Sequence, residues 1–177
     1  GPAGRGHADG GVGPVSGAPW GSAGILPIPW AYIRMMGAQG LTRATQVAVL
    51  NANYVLARLK DVYDLPYDRL CMHEFVLSAR SLKREHGITA LDVAKGLMDR
   101  GIHPPTVYFP LVVPEALMIE PTETETKERL DDFVEAMREI AAVAASDPDS
   151  LKAAPVSRPV RRLDEVKAAK EPVVRFA

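Results

Sequence analysis

The sequence predicts an α+β fold in which helices cover one face of a small sheet. Three observations carry this expectation. Apolar residues recur at helical spacing in several separate stretches. Two short apolar runs, residues 73–79 and 116–120, lack that period and read as strands. Five of the 15 prolines fall between Pro104 and Pro121, so any strand there belongs at a sheet edge.

Residues 1–22 read GPAGRGHADGGVGPVSGAPWGS, and nine of the 14 glycines lie in the first 24 positions. Such a segment buries too little apolar surface to order itself, so a flexible Gly-rich lead is expected. Order should begin near Ala23. Ile28, Trp30, Ile33, Met35 and Met36 then predict a helix over about 27–36, with Pro27 and Pro29 in its first turn and Gly37 at its end. A second helix is expected over about 41–61, carried by Leu41, Ala44, Val47, Ala48, Val55 and Leu59. These two helices hold more apolar surface than a small sheet can cover, so they should pack on parts outside this chain.

HEFVLSA (residues 73–79) has strand character, and a turn is expected at His86–Gly87. Thr89 with Asp92 three residues on marks a helix start, and Gly101 sits where a left-handed C-terminal residue belongs. Residues 103–114 read as a shaped, extended loop with one edge strand. Ala116–Glu120 is a short buried strand. Thr122 and Glu125 have capping-box spacing, which predicts a helix over about 123–144 with Leu130, Phe133, Val134, Met137, Ile140 and Ala141 in its stripe. Residues 154–177 are expected to form an arm with a short helix near 163–170. The expected division is therefore 1–22 lead, 23–62 connecting helices, 63–153 α+β small domain and 154–177 C-terminal arm.

The charge balance, 21 Lys and Arg against 22 Asp and Glu, argues against a nucleic-acid binder driven by positive charge. No stretch of 18 apolar residues exists, and no secretory leader is visible, so neither membrane insertion nor export is expected. The single cysteine, Cys71, excludes an internal disulfide and fits a reduced, cytoplasmic setting. It reads as a small core residue rather than a nucleophile. No HxxxH, CxxC or HExxH spacing supports a metal site. The acids of EPTETETKE suit a helix N-terminus better than a cation. His73 reads as a surface or satisfied buried histidine. His103 fits equally a functional loop and a helix C-terminus. Arg158, Arg161 and Arg162 form a basic arm that either grips the protein's own acids or faces solvent.

Several strings go further. PVSGAPWGSAGILPIPWAYIRMMG (14–37), GLTRATQVAVLNANY (40–54), MHEFVLS (72–78), GIHPPTVYFPLVVPEALMIEPTETETKERLDDF (101–133) and APVSRPVRRLDE (154–165) resemble the C-terminal region of glycine decarboxylase, in the form of the second subunit of the two-subunit type. That family is the pyridoxal phosphate (PLP) protein of the glycine cleavage system, an oxidoreductase of the aminotransferase-like fold type I. The resemblance implies that this chain is the C-terminal small domain of such an enzyme. It implies decarboxylation of glycine and transfer of the aminomethyl group to the lipoyl arm of the carrier H-protein, with PLP as the electron sink. The partners implied are the other segment or subunit of the enzyme, the lipoylated H-protein and glycine.

The family's Schiff-base lysine stands in a His-Lys motif before a glycine-rich loop. No lysine precedes Lys60 here, so no covalent cofactor and no catalytic residue is expected on this chain, which should be inactive alone. By the same resemblance the mouth of the active site should involve His103, Thr106, Tyr108, Glu120 and Thr122. A noncatalytic assembly module pairing with a related full-length subunit is the alternative.

Overall fold

The computed structural model describes residues 21–175. The expected flexible lead lies almost wholly outside the described residues. The chain divides into two compact units, Gly1–Arg43 and Ala44–Ala177, with the boundary inside the first long helix.

In the first unit a single 3-10 turn, Ala23–Ile25, leads into α1 (Pro27–Leu59). α1 is two helices joined at Gly37, which has φ 62° and ψ −179°. A side chain is strongly disfavoured there, so glycine breaks the helix where the sequence predicts its end. The apolar residues before the break are exposed, among them Ile28, Trp30 and Met35.

The second unit is built on a three-stranded antiparallel sheet in the order β1 (Phe75–Ser78), β3 (Ala116–Ile119), β2 (Thr106–Val107). β3 is central and reads ALMI. Only a strand flanked on both edges can bury so continuous an apolar run while satisfying its backbone. β2 is the edge strand foreseen within the proline-rich stretch. Between β1 and β2 come α2 (Arg80–His86) and α3 (Ala90–Asp99), and after β3 come α4 (Lys127–Ser146), α5 (Pro148–Ala153) and α6 (Glu165–Lys170). Gly87 and Gly101 both take positive φ, at the expected turn and helix end. One core joins Val55, Leu59, Leu77, Ile88, Leu97, Leu117, Met137 and Ile140, all fully buried. Each such side chain contributes about 1.5–3 kcal/mol. Gly96 lets the helices approach closely, since an added Cβ would stand 3.2 Å from Leu151 Cδ2 and 3.3 Å from Ile140 Cδ1.

Three expectations are corrected. α2 and α5 are helices that the apolar period did not reveal. The α4 cap is Thr126, not Thr122: the Thr126 hydroxyl accepts from the Arg129 N–H, while the Thr122 hydroxyl shares a 2.7 Å hydrogen bond with that of Thr124. Lys127 and Asp131 form an i,i+4 ion pair on α4, at 2.5 Å.

Two carboxylates join elements far apart in the chain. Glu115 stands before β3 with φ 51°. Its carboxylate accepts from the Ala90 N–H at the start of α3, at 2.9 Å, and from Lys83 of α2, at 2.5 Å; its carbonyl accepts from the Ala79 N–H. An acid at a helix N-terminus is favoured by the dipole. Asp92 closes the Thr89 capping box, as expected, and also receives Arg162 at 2.7 Å. Arg162 donates further to the carbonyls of Ala154 and Leu151. At the other end of α3, Asp99 accepts from the amides of Val156 and Ser157, and Arg158 donates to the Met98 carbonyl. The basic arm therefore runs along α3 against the helix direction, tied at both ends. Arg158 and Arg162 grip the protein's own acceptors.

Burial pushes the Asp92 carboxyl up, but the Thr89 hydroxyl and amide and the Arg162 guanidinium outweigh it and hold it below the usual carboxylate range. A depressed folded-state value stabilises the fold above about pH 4 and loses that contribution as the pH falls through it. Arg162→Ala is expected to cost about 2–3 kcal/mol in urea unfolding at neutral pH, below the loss for a fully buried pair because Arg162 is 34% exposed. The gap from the unsubstituted protein should narrow as the pH drops below 4 or so. At the α4 cap, Thr126→Ala should cost about 1 kcal/mol and Thr122→Ala under about 0.5 kcal/mol in the same assay.

Candidate functional site

One end of the sheet gathers the candidate residues. The antiparallel register pairs Phe75, the first residue of β1, with Ile119, the last of β3, and places Thr106 of β2 opposite Met118. The loop entering β1, the loop entering β2 and the turn leaving β3 therefore share that end.

α3 stops there because Gly101 turns the chain, with the Gly101 and Ile102 amides donating to the Met98 and Leu97 carbonyls. His103 follows at once, and Pro104 and Pro105 keep the chain extended into Thr106. β3 leaves through Glu120 and the buried Pro121 into the turn Thr122–Glu125, closed by the Glu125 N–H donating to the Thr122 carbonyl. These segments and α4 border a half-open cleft of about 840 Å³. That volume suits a small-molecule ligand.

His103, Thr106, Glu120 and Thr122 all line this cleft, and Tyr108 is not among its lining residues. Tyr108 lies past the end of β2 with φ 59°, its amide donating to the Ala116 carbonyl and its ring half-exposed. Its lining mixes apolar side chains such as Met118, Leu130 and Phe133 with charged ones, among them Glu120, Glu125, Asp132, Glu135 and Glu139. Arg100 pairs with Glu139 at 3.1 Å, and Arg129 adds a second guanidinium. His73, which precedes β1 rather than lying on it, has Nε2 3.9 Å from Glu120 Oε1. It is an exposed histidine beside the cleft rather than in it.

The sequence reading missed three residues of this region. Arg100 and Arg129 show no periodic signal: Arg100 is the residue after α3, and Arg129 lies on the exposed side of α4. Asn51 was signalled only by being polar in an apolar helical stripe. It is buried, and its amide donates to the Thr122 carbonyl at 2.9 Å and the Glu125 carbonyl at 3.5 Å. Three residues on, the Tyr54 hydroxyl donates to Asp131 of α4, and Arg58 stacks on the Tyr54 ring at 3.6 Å. Arg138 then binds the Arg58 carbonyl and the Asp61 carboxylate. The second half of α1 and α4 are thus fastened side by side, running in parallel.

Cys71 is half-buried, and burial pushes its thiol up, more than its own backbone hydrogen bonding lowers it. It packs against the core, as expected for a small apolar residue. Among the described residues no cluster of three or more His, Cys, Asp or Glu could hold a metal ion. No helix among them is long and apolar enough to cross a membrane.

No lysine lines the cleft. Lys60, Lys83, Lys127 and Lys152 are engaged with Asp68, Glu115, Asp131 and Asp149. The residues present do not fit covalent attachment of PLP in this cleft, and no step through that group is assigned to them.

The comparisons with known proteins agree with one another. A protein from Staphylococcus haemolyticus named probable glycine dehydrogenase (decarboxylating) subunit 2 is 55% identical over 157 residues, which cover 89% of this chain and 32% of that protein. One of the same name from Chlorobaculum tepidum is 55% identical over 152 residues, covering 86% and 31%. The chain thus spans about a third of the length of these relatives. The crystal structure of a glycine decarboxylase (P-protein) of the glycine cleavage system, in inhibitor-bound form, superposes with a TM-score of 0.52 at 23% identity, over 62% of this chain and 24% of that one. This likeness shows the fold. The family described as glycine dehydrogenase, C-terminal domain, matches residues 44–155, the part of the chain that carries the sheet, the cleft and α4, and the protein belongs to that family.

Proposed function

We propose that this chain is the C-terminal small domain of a PLP-dependent glycine decarboxylase of fold type I, acting in the cytoplasm. The complete enzyme releases carbon dioxide from glycine and passes the aminomethyl group to the lipoyl arm of the carrier H-protein. The cofactor and its lysine belong to another segment or subunit, and this chain supplies one wall of the approach to it. The observation that carries this reading is the cleft at one end of the sheet, lined by His103, Thr106, Glu120 and Thr122.

Several features support it. The cleft suits a small, polar substrate, since its lining offers many polar and charged groups beside apolar ones. His103 and Thr106 present donors and acceptors along an extended loop, and Glu120 and Thr122 do so from the opposite edge. Tyr108, past the far end of β2, does not line the cleft. The exposed apolar helix of the first unit fits a domain that buries that face against a larger assembly; Met35 is 85% exposed and Ile28 70%. No lysine of the cleft is available to bind PLP covalently, which suits a domain that completes a site rather than one that contains it.

Titrating the isolated 177-residue chain with pyridoxal phosphate tests the division of labour. No lysine-bound absorbance band and no release of carbon dioxide from glycine are expected from this chain alone. A stoichiometric band that borohydride reduces, and that substitution of one lysine abolishes, would place the cofactor here and refute the proposal.

A further inference from the structure

We infer that the Asn51–Ala52–Asn53 step of α1 is a positioning device for the cleft, with Asn51 setting the Glu120–Thr122 rim that meets the substrate. The inference rests on the function proposed above and names how this chain shapes the site.

Residues two apart on a helix point about 200° from each other. The two asparagines therefore reach opposite ways from one turn, while Ala52 between them is fully buried in the core. Asn53 reaches the loop entering β1: its Nδ2 donates to the Cys71 carbonyl at 2.8 Å, and its Oδ1 accepts from the Cys71 N–H at 3.0 Å. Asn51 reaches the turn leaving β3, through the Thr122 and Glu125 carbonyls. By the register of β1 on β3 these segments lie at the same end of the sheet, with His73 and Glu120 between the two fastened points. Glu120, Thr122 and Glu125 all line the cleft.

The chemistry calls for an amide. The turn offers Asn51 two carbonyl oxygens, which need a donor; Cys71 offers Asn53 one donor and one acceptor, which need both. Asparagine is a poor residue for a helix interior, so local propensity does not account for two of them in one turn. A carboxylate at position 51 would set lone pairs against lone pairs and leave buried carbonyls unsatisfied. Asn51 touches no substrate in this account. It acts through the backbone of Thr122, and its effect falls on how the rim is placed.

The test compares Asn51→Asp with the unsubstituted protein in two settings. In the 177-residue chain, amide hydrogen exchange is expected to quicken about tenfold at residues 120–126 while α3 and the middle of α4 stay protected. In the decarboxylase assembled with its cofactor-bearing segment, the KM for glycine should rise about tenfold with kcat changed less than about threefold. Asn51→Ser, smaller and uncharged, should reproduce both effects and serves where Asp unfolds the chain. Rim exchange that does not change, or faster rim exchange with an unchanged KM, overturns the inference. Absence of glycine turnover by the unsubstituted assembly overturns the functional reading instead, and the exchange pattern still decides whether Asn51 holds the rim.

Discussion

The turn between β3 and α4 is the constraint on which the rest of the site depends. A central strand must leave the sheet at Ile119 and enter a helix at Lys127 within seven residues, and its backbone groups need partners along the way. Asn51 supplies a donor to Thr122, Pro121 is buried, and Thr126 starts the helix. That hold sets where Glu120 and Thr122 stand, and α4 follows from it. Leu130, Val134, Met137 and Ile140 are then brought onto the core. The same helix face that stabilises the unit forms one wall of the cleft, so packing and site geometry are not separable here.

Charged groups do the remaining joining, and two of the acids, Asp92 and Glu115, are buried where they do so. Asp92 is 5% exposed and receives Thr89 and Arg162. Glu115 joins α2 and the start of α3 to the turn before β3. Neither lies in the cleft. They fix α3, and α3 ends at Gly101, from which His103 is launched. Two buried carboxylates thus position one side of the cleft through α3, and Asn51 positions the other through the β3–α4 turn.

Much of this was legible in the chain itself, wherever local chemistry decides. Gly37 breaks the first helix because only glycine sits easily at its φ. Thr89 and Asp92 form their box because the spacing is intrinsic to a helix start. The proline-rich loop could hold only an edge strand, and β2 is one. Where tertiary contacts decide, sequence reading failed. TETETK offers three threonines as caps; Thr126 takes the role, while the Thr122 hydroxyl is engaged with Thr124 and its carbonyl with Asn51, 71 positions upstream. α2 is seven residues long with Leu82 its one buried side chain, too short for a period to show. The candidate rim residues followed from resemblance rather than from spacing. The cleft gathers four of the five, and no property of the linear chain distinguishes Tyr108 from Thr106.

On the function proposed, this domain completes a glycine-decarboxylating site whose cofactor is held elsewhere. Release of labelled carbon dioxide from carboxyl-labelled glycine tests it most directly, with this chain, the cofactor-bearing segment of the same enzyme and the lipoylated carrier mixed in all combinations. The account predicts release only when this chain and the cofactor-bearing segment are both present. Full release from the cofactor-bearing segment without this chain would contradict it.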